Sequence, residues 1–223
     1  MKKFLNILVI GILVLCTGCD GSKNTENLRG IDFNIDGNET TLANYDTENP
    51  VVAMEIEGYG AIVMELYPKI APNTVNNFIS LVKQGFYDNN SFHRLVPSFV
   101  LQGGDPKGDG TGGPGYTIKG EFTNNRFTNT LKHTKGIVSM ARSSENDSAG
   151  SQFFIMLDTA SYLDNNYAAF GKVIDGMDMV DKIASTEIVS DTQTGKLKKN
   201  LTIKKALVDT KGKEYSKPTK ITE

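Results

Sequence analysis

Thiols and imidazoles are nearly missing from this chain of 223 residues, which has two cysteines, Cys16 and Cys19, and two histidines, His93 and His133. Two histidines 40 residues apart, with no cysteines or paired acids at ligand spacing, give no basis for a metal centre. Each is expected to be a hydrogen-bonded structural histidine. A surplus of positive charge is missing as well. The formal charge is −2 and the pI about 5.8, which argues against nucleic acid as a partner. No internal repeat is present, and beyond the first twenty residues no apolar run is long enough to span a membrane. The remaining composition, 39% hydrophobic and 22% charged, is ordinary for a soluble globular protein of one domain plus appendages, or at most two small domains.

Phosphate and calcium signals fail on context. Gly108 to Gly113 spells G-x-G-x-x-G, but Asp105-Pro106 precedes it and Pro114-Gly115 follows. A nucleotide loop needs a strand before and a helix after, and there is no Walker lysine. The polar run Ser143 to Ser148 lacks the twelve-residue calcium pattern. No cofactor and no metal are expected.

The first residues do not belong to the fold. Lys2 and Lys3 precede an apolar run whose densest part, Ile7 to Cys16, has the length of a signal-peptide core. It ends in Cys16-Thr17-Gly18-Cys19, which resembles the bacterial lipoprotein processing box, with Cys16 where leucine is usual. The resemblance implies cleavage before Cys19 and a diacylglyceryl group on its thiol, hence a membrane partner held through lipid. A plain secretory signal or an uncleaved anchor remains the alternative. Loss of residues 1–18 removes Lys2 and Lys3, so the charge becomes −2 − 2 = −4. The one remaining cysteine is then committed to lipid and cannot close an internal disulfide, so the core alone must hold the fold. The expected organisation is a leader (1–18), a lipidated cysteine with a polar tether (19–48), one folded domain (49–210) and a polar tail (211–223).

Within the domain, Val51 to Glu57 and Ala61 to Tyr67 flank Gly58-Tyr59-Gly60, a hairpin signature. Pro72 can open a helix whose apolar face is Val75, Phe78, Ile79 and Val82, with Gly85 as its stop. Further strands are predicted around Phe92 to Gln102 and over 136–141, 152–157 and 168–173. A second short helix fits Met177 to Ala184, and a last strand carries Leu201, Ile203 and Leu207. Ile31 to Ile35 alternates and could add a strand. Many strands with two helices point to a mainly β fold, a closed antiparallel barrel rather than a βαβ sheet.

The stretch FHRLVPSFVLQGGDP, residues 92–106, puts one arginine and one amide among apolar residues and offers no serine–histidine–acid order. Arg94 and Gln102 are eight apart, which returns to one strand face if Pro97 does not break the strand. Gln152 is a second amide beside aromatics. Read alone, these are also compatible with core strands whose polar groups are satisfied.

Phe92 to Pro97, Gln102 to Asp105, Gly110 to Gly113, Ser139 to Ala141, Gly150 to Ile155 and Phe170 to Val173 together resemble the cyclophilin family of peptidyl-prolyl cis–trans isomerases. The resemblance covers about Pro50 to Val208. It implies an eight-stranded antiparallel barrel capped by two helices, with a filled interior and an active groove outside. By motif position Arg94 matches the catalytic arginine. Phe99, Val100, Phe154 and Leu163 match the proline pocket, and Gln102 the amide that helps hold the arginine and the substrate. Gly110, Ala141, Arg142 and Gln152 fall where the family contacts the peptide. Val100 stands where many members have Met, Arg142 where eukaryotic members have Asn, Tyr162 where they have Trp, and Tyr167 for a frequent His. The Trp position contacts cyclosporin in the family, so Tyr162 implies weak binding of that drug.

The implied function is isomerisation of X-Pro bonds in secreted or surface proteins, with proline-containing polypeptides as partners and a monomer as the default state. Rotation about an amide breaks no covalent bond, which fits a site without nucleophile or metal. Two other readings remain. One is a non-catalytic proline-peptide binder or holdase chaperone with the same groove. The other is a hollow small-ligand barrel, which the supply of Phe, Ile, Leu and Val for the interior disfavours.

Overall fold

A computed structural model describes residues 32–35, 38–41, 45–187 and 189–222. The leader and Cys19 lie outside the described residues. The alternating stretch near the start does form a strand: β1 (Asp32–Ile35) pairs antiparallel with β2 (Asn38–Thr41).

β3 (Val51–Ile56) and β4 (Gly60–Leu66) form the expected hairpin. Both are apolar along nearly their whole length because both faces are covered. Val52, Met54, Ile62 and Met64 enter the main core. Val51, Ala53, Ala61 and Val63 form a second cluster on the other face, against Tyr45 and Leu207. The chain is therefore docked before the expected start of the domain. The Tyr45 hydroxyl donates to Asp175 (2.5 Å), and Thr47 and Asn49 both bond the Glu65 carboxylate.

α1 (Pro72–Lys83) begins at its proline and buries Val75, Phe78, Ile79 and Val82, as the spacing predicts. Its N-cap residue, Ala71, has no side-chain acceptor. Glu121 replaces it from far along the chain, its carboxylate accepting the N–H groups of Asn73 (3.0 Å) and Thr74 (2.8 Å). The negative charge also meets the positive end of the helix dipole.

β5 (Ser91–Val96), β6 (Val100–Gly103), β7 (Ile137–Met140), β8 (Phe153–Met156), β9 (Ala169–Asp175) and β11 (Lys196–Asp209) complete the barrel. The order around it is β11-β3-β4-β9-β7-β8-β6-β5, and β5 pairs back onto β11. Every pairing is antiparallel, so eight strands close with no free edge. β10 (Val189–Asp191) folds back on the start of β11 as a hairpin, and α2 (Met177–Thr186) packs Met179, Val180 and Ile183 inward. The sequence breaks alternation in the last strand because β11 shifts register between Ile203 and Lys205. Leu201 and Ile203 point inward before the shift, Ala206 and Val208 after it, and Leu207 turns outward.

The interior is solid. Phe78 of α1 meets Tyr87, Phe153 and Phe170 with ring centroids 5.0–5.3 Å apart, and Phe92 sits 5.6 Å from Phe153. All five rings are fully buried, which removes the hollow-barrel reading. The expected polar tail does not trail. Thr117 bridges to Ile221, Asn73 exchanges hydrogen bonds with Thr219, and Lys220 lies 3.8 Å from the Tyr116 ring centroid. No helix among the described residues is long and apolar enough to cross a membrane.

Candidate active site

Arg94 and Gln102 meet across a hairpin, not along one strand. The chain turns at Pro97-Ser98 and brings Arg94 opposite Gln102 in the β5–β6 register. Ser98 takes φ +58° in that turn. The shared face that eight-residue spacing suggested thus has a different cause. Arg94 Nη1 donates to Gln102 Oε1 (3.1 Å), and Gln102 Nε2 donates to Gln152 Oε1 (3.0 Å). Gln152 Nε2 then bonds the carbonyls of Gly110 (3.0 Å) and Gly112 (2.9 Å). One amide relay therefore joins the arginine to the glycine loop. On the other side Arg94 Nε donates to the Thr194 carbonyl at 2.7 Å. The third nitrogen, Nη2, has no hydrogen bond among the described residues. Burial lowers the Arg94 pKa, opposed by Tyr162 and Tyr167, but a guanidinium remains charged at neutral pH.

The apolar part lies on the outer face of the barrel wall. Val100, Phe154 and Leu163 are buried there with Ile137 and Met156, and Phe99, Ala141 and Tyr167 pack against them half-buried. The β5–β6 turn supplies Phe99, β6 Val100, β8 Phe154, and a single helical turn, Ser161–Leu163, the last wall. Tyr162 is 67% exposed and stacks on Phe99 at 5.9 Å. Tyr167 meets Phe154 edge-on at 5.9 Å. Beside this cluster runs a groove of about 520 Å³, lined in part by Gln102, Gly110, Ala141, Arg142 and Gln152.

All the residues expected at the site come together here, with one change of role. The Arg142 guanidinium is committed within the chain. It donates to the carbonyls of Asn166, Ser143 and Ser144 and lies 4.8 Å from the Tyr167 ring centroid. It ties the polar loop to Tyr167 while lining the groove. The Ala141 N–H is likewise taken, by the Gln152 carbonyl at 2.9 Å.

Two supports were not legible as site residues. His133 stacks behind Phe154 at 6.1 Å, bonds Asp164 through Nδ1 (3.0 Å) and Ser139 through Nε2 (3.0 Å). Burial lowers its pKa against the opposing pull of Asp164. The neutral ring thus donates to Asp164 and accepts from Ser139. Thr194 acts through its backbone carbonyl, which no side-chain pattern reports. His93 departs from expectation, since both its ring nitrogens are buried without a partner among the described residues.

The glycine loop explains why G-x-G-x-x-G is no phosphate site. Its amides already face an anion, because the Asp105 carboxylate accepts the N–H groups of Lys107, Asp109 and Gly110. Burial pushes the Asp105 pKa up, but these donors and Gly112 outweigh it and hold it below the usual carboxylate value. Among the described residues no cluster of three acid, cysteine or histidine side chains could hold a metal.

This arrangement is a charged donor beside an apolar pocket on the outside of a closed barrel. The family model for cyclophilin type peptidyl-prolyl cis-trans isomerase/CLD matches residues 51–208. Peptidyl-prolyl cis-trans isomerase B of Bacillus subtilis (strain 168) is 43% identical over 138 residues, covering 62% of this chain and 93% of that protein. A peptidyl-prolyl cis-trans isomerase of Helicobacter pylori (strain ATCC 700392 / 26695) is 43% identical over 132 residues, covering 58% of this chain and 78% of that protein. The crystal structure of a Cryptosporidium parvum cyclophilin type isomerase, in the presence of the dipeptide Ala-Pro, matches with TM-score 0.62 and 31% identity. That match covers 71% of this chain and 98% of that one. The chain belongs to the cyclophilin-type peptidyl-prolyl cis–trans isomerases, enzymes of class EC 5.2.1.8.

Proposed function

We propose that this isomerase acts outside the cytoplasm, held to a membrane by lipid on Cys19, and rotates X-Pro bonds in secreted or surface proteins through Arg94. The observation that carries the Arg94 reading is its geometry. Nε and Nη1 are anchored to neutral acceptors, Nη2 has no hydrogen bond among the described residues, and the guanidinium feels Tyr162 and Tyr167, which pack on Phe99 and Phe154.

The barrier to be lowered is amide resonance, ~18–20 kcal/mol. In the twisted state the prolyl nitrogen becomes pyramidal and regains a lone pair. A guanidinium held there donates to that lone pair, which the planar ground state does not offer, so stabilisation is confined to the transition state. Phe99, Val100, Phe154 and Leu163 hold the proline ring while the preceding carbonyl swings. Their low polarity strengthens the Arg94 interaction. Lowering the barrier by ~7 kcal/mol would accelerate exchange roughly 10⁵-fold. Gly110, Ala141, Arg142 and Gln152 border the peptide on the groove side. The Ala-Pro dipeptide of the Cryptosporidium crystal structure supports a proline-peptide ligand. Tyr162 in place of the family's Trp supports weak cyclosporin binding.

The test is cis–trans exchange of an Ala-Pro-Phe peptide by NMR exchange spectroscopy, with the full chain and with Arg94→Ala. Fast exchange lost in the variant is expected. Equal rates would sink the Arg94 mechanism. Peptide binding without acceleration by either protein would favour a holdase. The address is tested separately: the wild-type chain should incorporate labelled fatty acid and Cys19→Ser should not, and absence of label from the wild type would remove the lipid-anchor reading.

A further inference from the structure

We propose that the turn Asp191 to Gly195 is a positioning element for Arg94, fixing the guanidinium through the Thr194 carbonyl so that Nη2 faces the substrate. The inference rests on the reading of Arg94 as the group that touches the prolyl nitrogen. Two sets of contacts support it. The first ties the turn to the strand that carries the arginine. Lys196 stands opposite Arg94 in the β11–β5 register, and the Leu95 N–H donates to the Gly195 carbonyl at 2.8 Å. The second makes the turn rigid. The Asp191 carboxylate accepts the Gln193 N–H (2.9 Å) and the Thr194 hydroxyl (2.8 Å), and the Asp191 carbonyl accepts the Gly195 N–H (2.8 Å).

Gly195 allows the close approach. Its φ is +75°, and a Cβ there would lie 2.6 Å from Val96 Cγ2 and 2.7 Å from the Leu95 carbonyl oxygen. Any side chain would push the turn off β5 and withdraw the Thr194 carbonyl from Arg94.

The choice of acceptor has a chemical consequence. Arg94 is held by two neutral oxygens, a carbonyl and an amide, and no carboxylate pairs with it among the described residues. A carboxylate would hold the group as firmly but would cancel part of the charge that the lone pair is to meet. Asp191, the acid within the turn, spends its oxygens on Thr194 and Gln193, which hold its pKa below the usual value. The turn therefore fixes direction and leaves the charge whole.

The test is Gly195→Ala in the full chain, measured by NMR exchange spectroscopy of Ala-Pro-Phe, alone and in an Arg94→Lys background. Lysine has no Nε–H to give Thr194 at that place. A displacement of about an ångström predicts kcat/KM lower by ~10-fold or more with KM changed less than about twofold. In the Arg94→Lys background, assayed at raised enzyme concentration, the same substitution should change kcat/KM by less than about twofold. Equal losses in both backgrounds would assign the effect to the fold and overturn the inference. So would full activity of Gly195→Ala beside a crippled Arg94→Lys, which leaves the catalytic reading standing. An Arg94→Lys enzyme as fast as wild type would overturn both. Independently of any variant, the Arg94 Nε–H should exchange with water at least ~10-fold more slowly than in free arginine. Unprotected exchange refutes the Thr194 contact.

Discussion

Gln102 is the hinge of the amide relay, and Gln102→Leu cuts it on both sides. Leucine matches the volume roughly but neither accepts from Arg94 Nη1 nor donates to Gln152. A hydrogen bond to a charged group contributes ~1.5–3 kcal/mol. If all of that were confined to the transition state, the loss in kcat/KM would be about 10–150-fold. Two features of the site pull the figure toward the lower end. The Thr194 carbonyl still holds Nε, and Arg94 and Gln102 are only half-buried, so water can replace part of the contact. About 10–30-fold is therefore expected, mostly in kcat, because the apolar pocket proposed for the proline ring is untouched. The assay is Ala-Pro-Phe exchange by NMR at several peptide concentrations, beside urea unfolding of the same preparation. Stability should fall by no more than about 1 kcal/mol, since neither severed bond is fully buried. A rate within twofold of wild type, or a loss lying wholly in KM, would refute the idea that the relay orients the arginine.

Phe153→Ala should cost ~3–5 kcal/mol in urea unfolding, because its ring is fully buried against Phe78, Tyr87 and Phe92. Gly104→Ala should be destabilising by ~2 kcal/mol or more, as φ is +84° and a Cβ would meet the Ser151 carbonyl oxygen at 2.5 Å. Burial lowers the pKa of both His93 and His133, so the folded state prefers neutral rings. Their contribution is fully present above the unfolded value of ~6.5 and is lost as pH falls toward the folded values. The urea midpoint should therefore drop between pH 7.5 and pH 5.5, and drop less in His133→Gln; a pH-independent midpoint would contradict the assignment. Truncation after Gly212 removes the Lys220–Tyr116 and Ile221–Thr117 contacts behind the groove. KM for peptides extended before the proline should rise several-fold with kcat held, and unchanged KM would free the groove from the C-terminal segment.

The barrel was legible where burial is periodic and local. α1 could be read from Pro72 and four apolar residues because a helix announces its face within seven residues. β3 and β4 were legible as strands, but not the reason for their apolar length, which lies in Tyr45 and Leu207 arriving from distant parts of the chain. The β11 register shift could not be read from the sequence, since a bulge changes phase without a composition signal. Segments 45–48 and 211–222 looked like tether and tail because their docking rests on a few hydrogen bonds and one cation–ring contact rather than an apolar stripe. At the site, side-chain identity carried Arg94, Gln102, Gln152 and the pocket, through motif position. Periodicity had the right pairing of Arg94 with Gln102 for the wrong reason. Thr194 stayed hidden because its working atom is one that every residue possesses.

A backbone acceptor for Arg94 accounts for the place of the site outside a filled barrel. An arginine that must keep its whole charge cannot be fixed by an acid, so it needs neutral acceptors at fixed positions. Backbone carbonyls and amides supply these only when the backbone itself is rigid. Closure of eight strands provides that rigidity at β5 and β11, the seam where the β5–β6 hairpin and the last strand meet. Arg94 lies on one strand of this seam, and its Thr194 acceptor on the turn that begins the other. A fault in closure would then be felt at Arg94. The core rings that hold the wall and the turn that aims the arginine should thus differ in signature. Phe153→Ala lowers stability with the remaining folded fraction still active, whereas Gly195→Ala lowers the kcat of the fraction that stays folded.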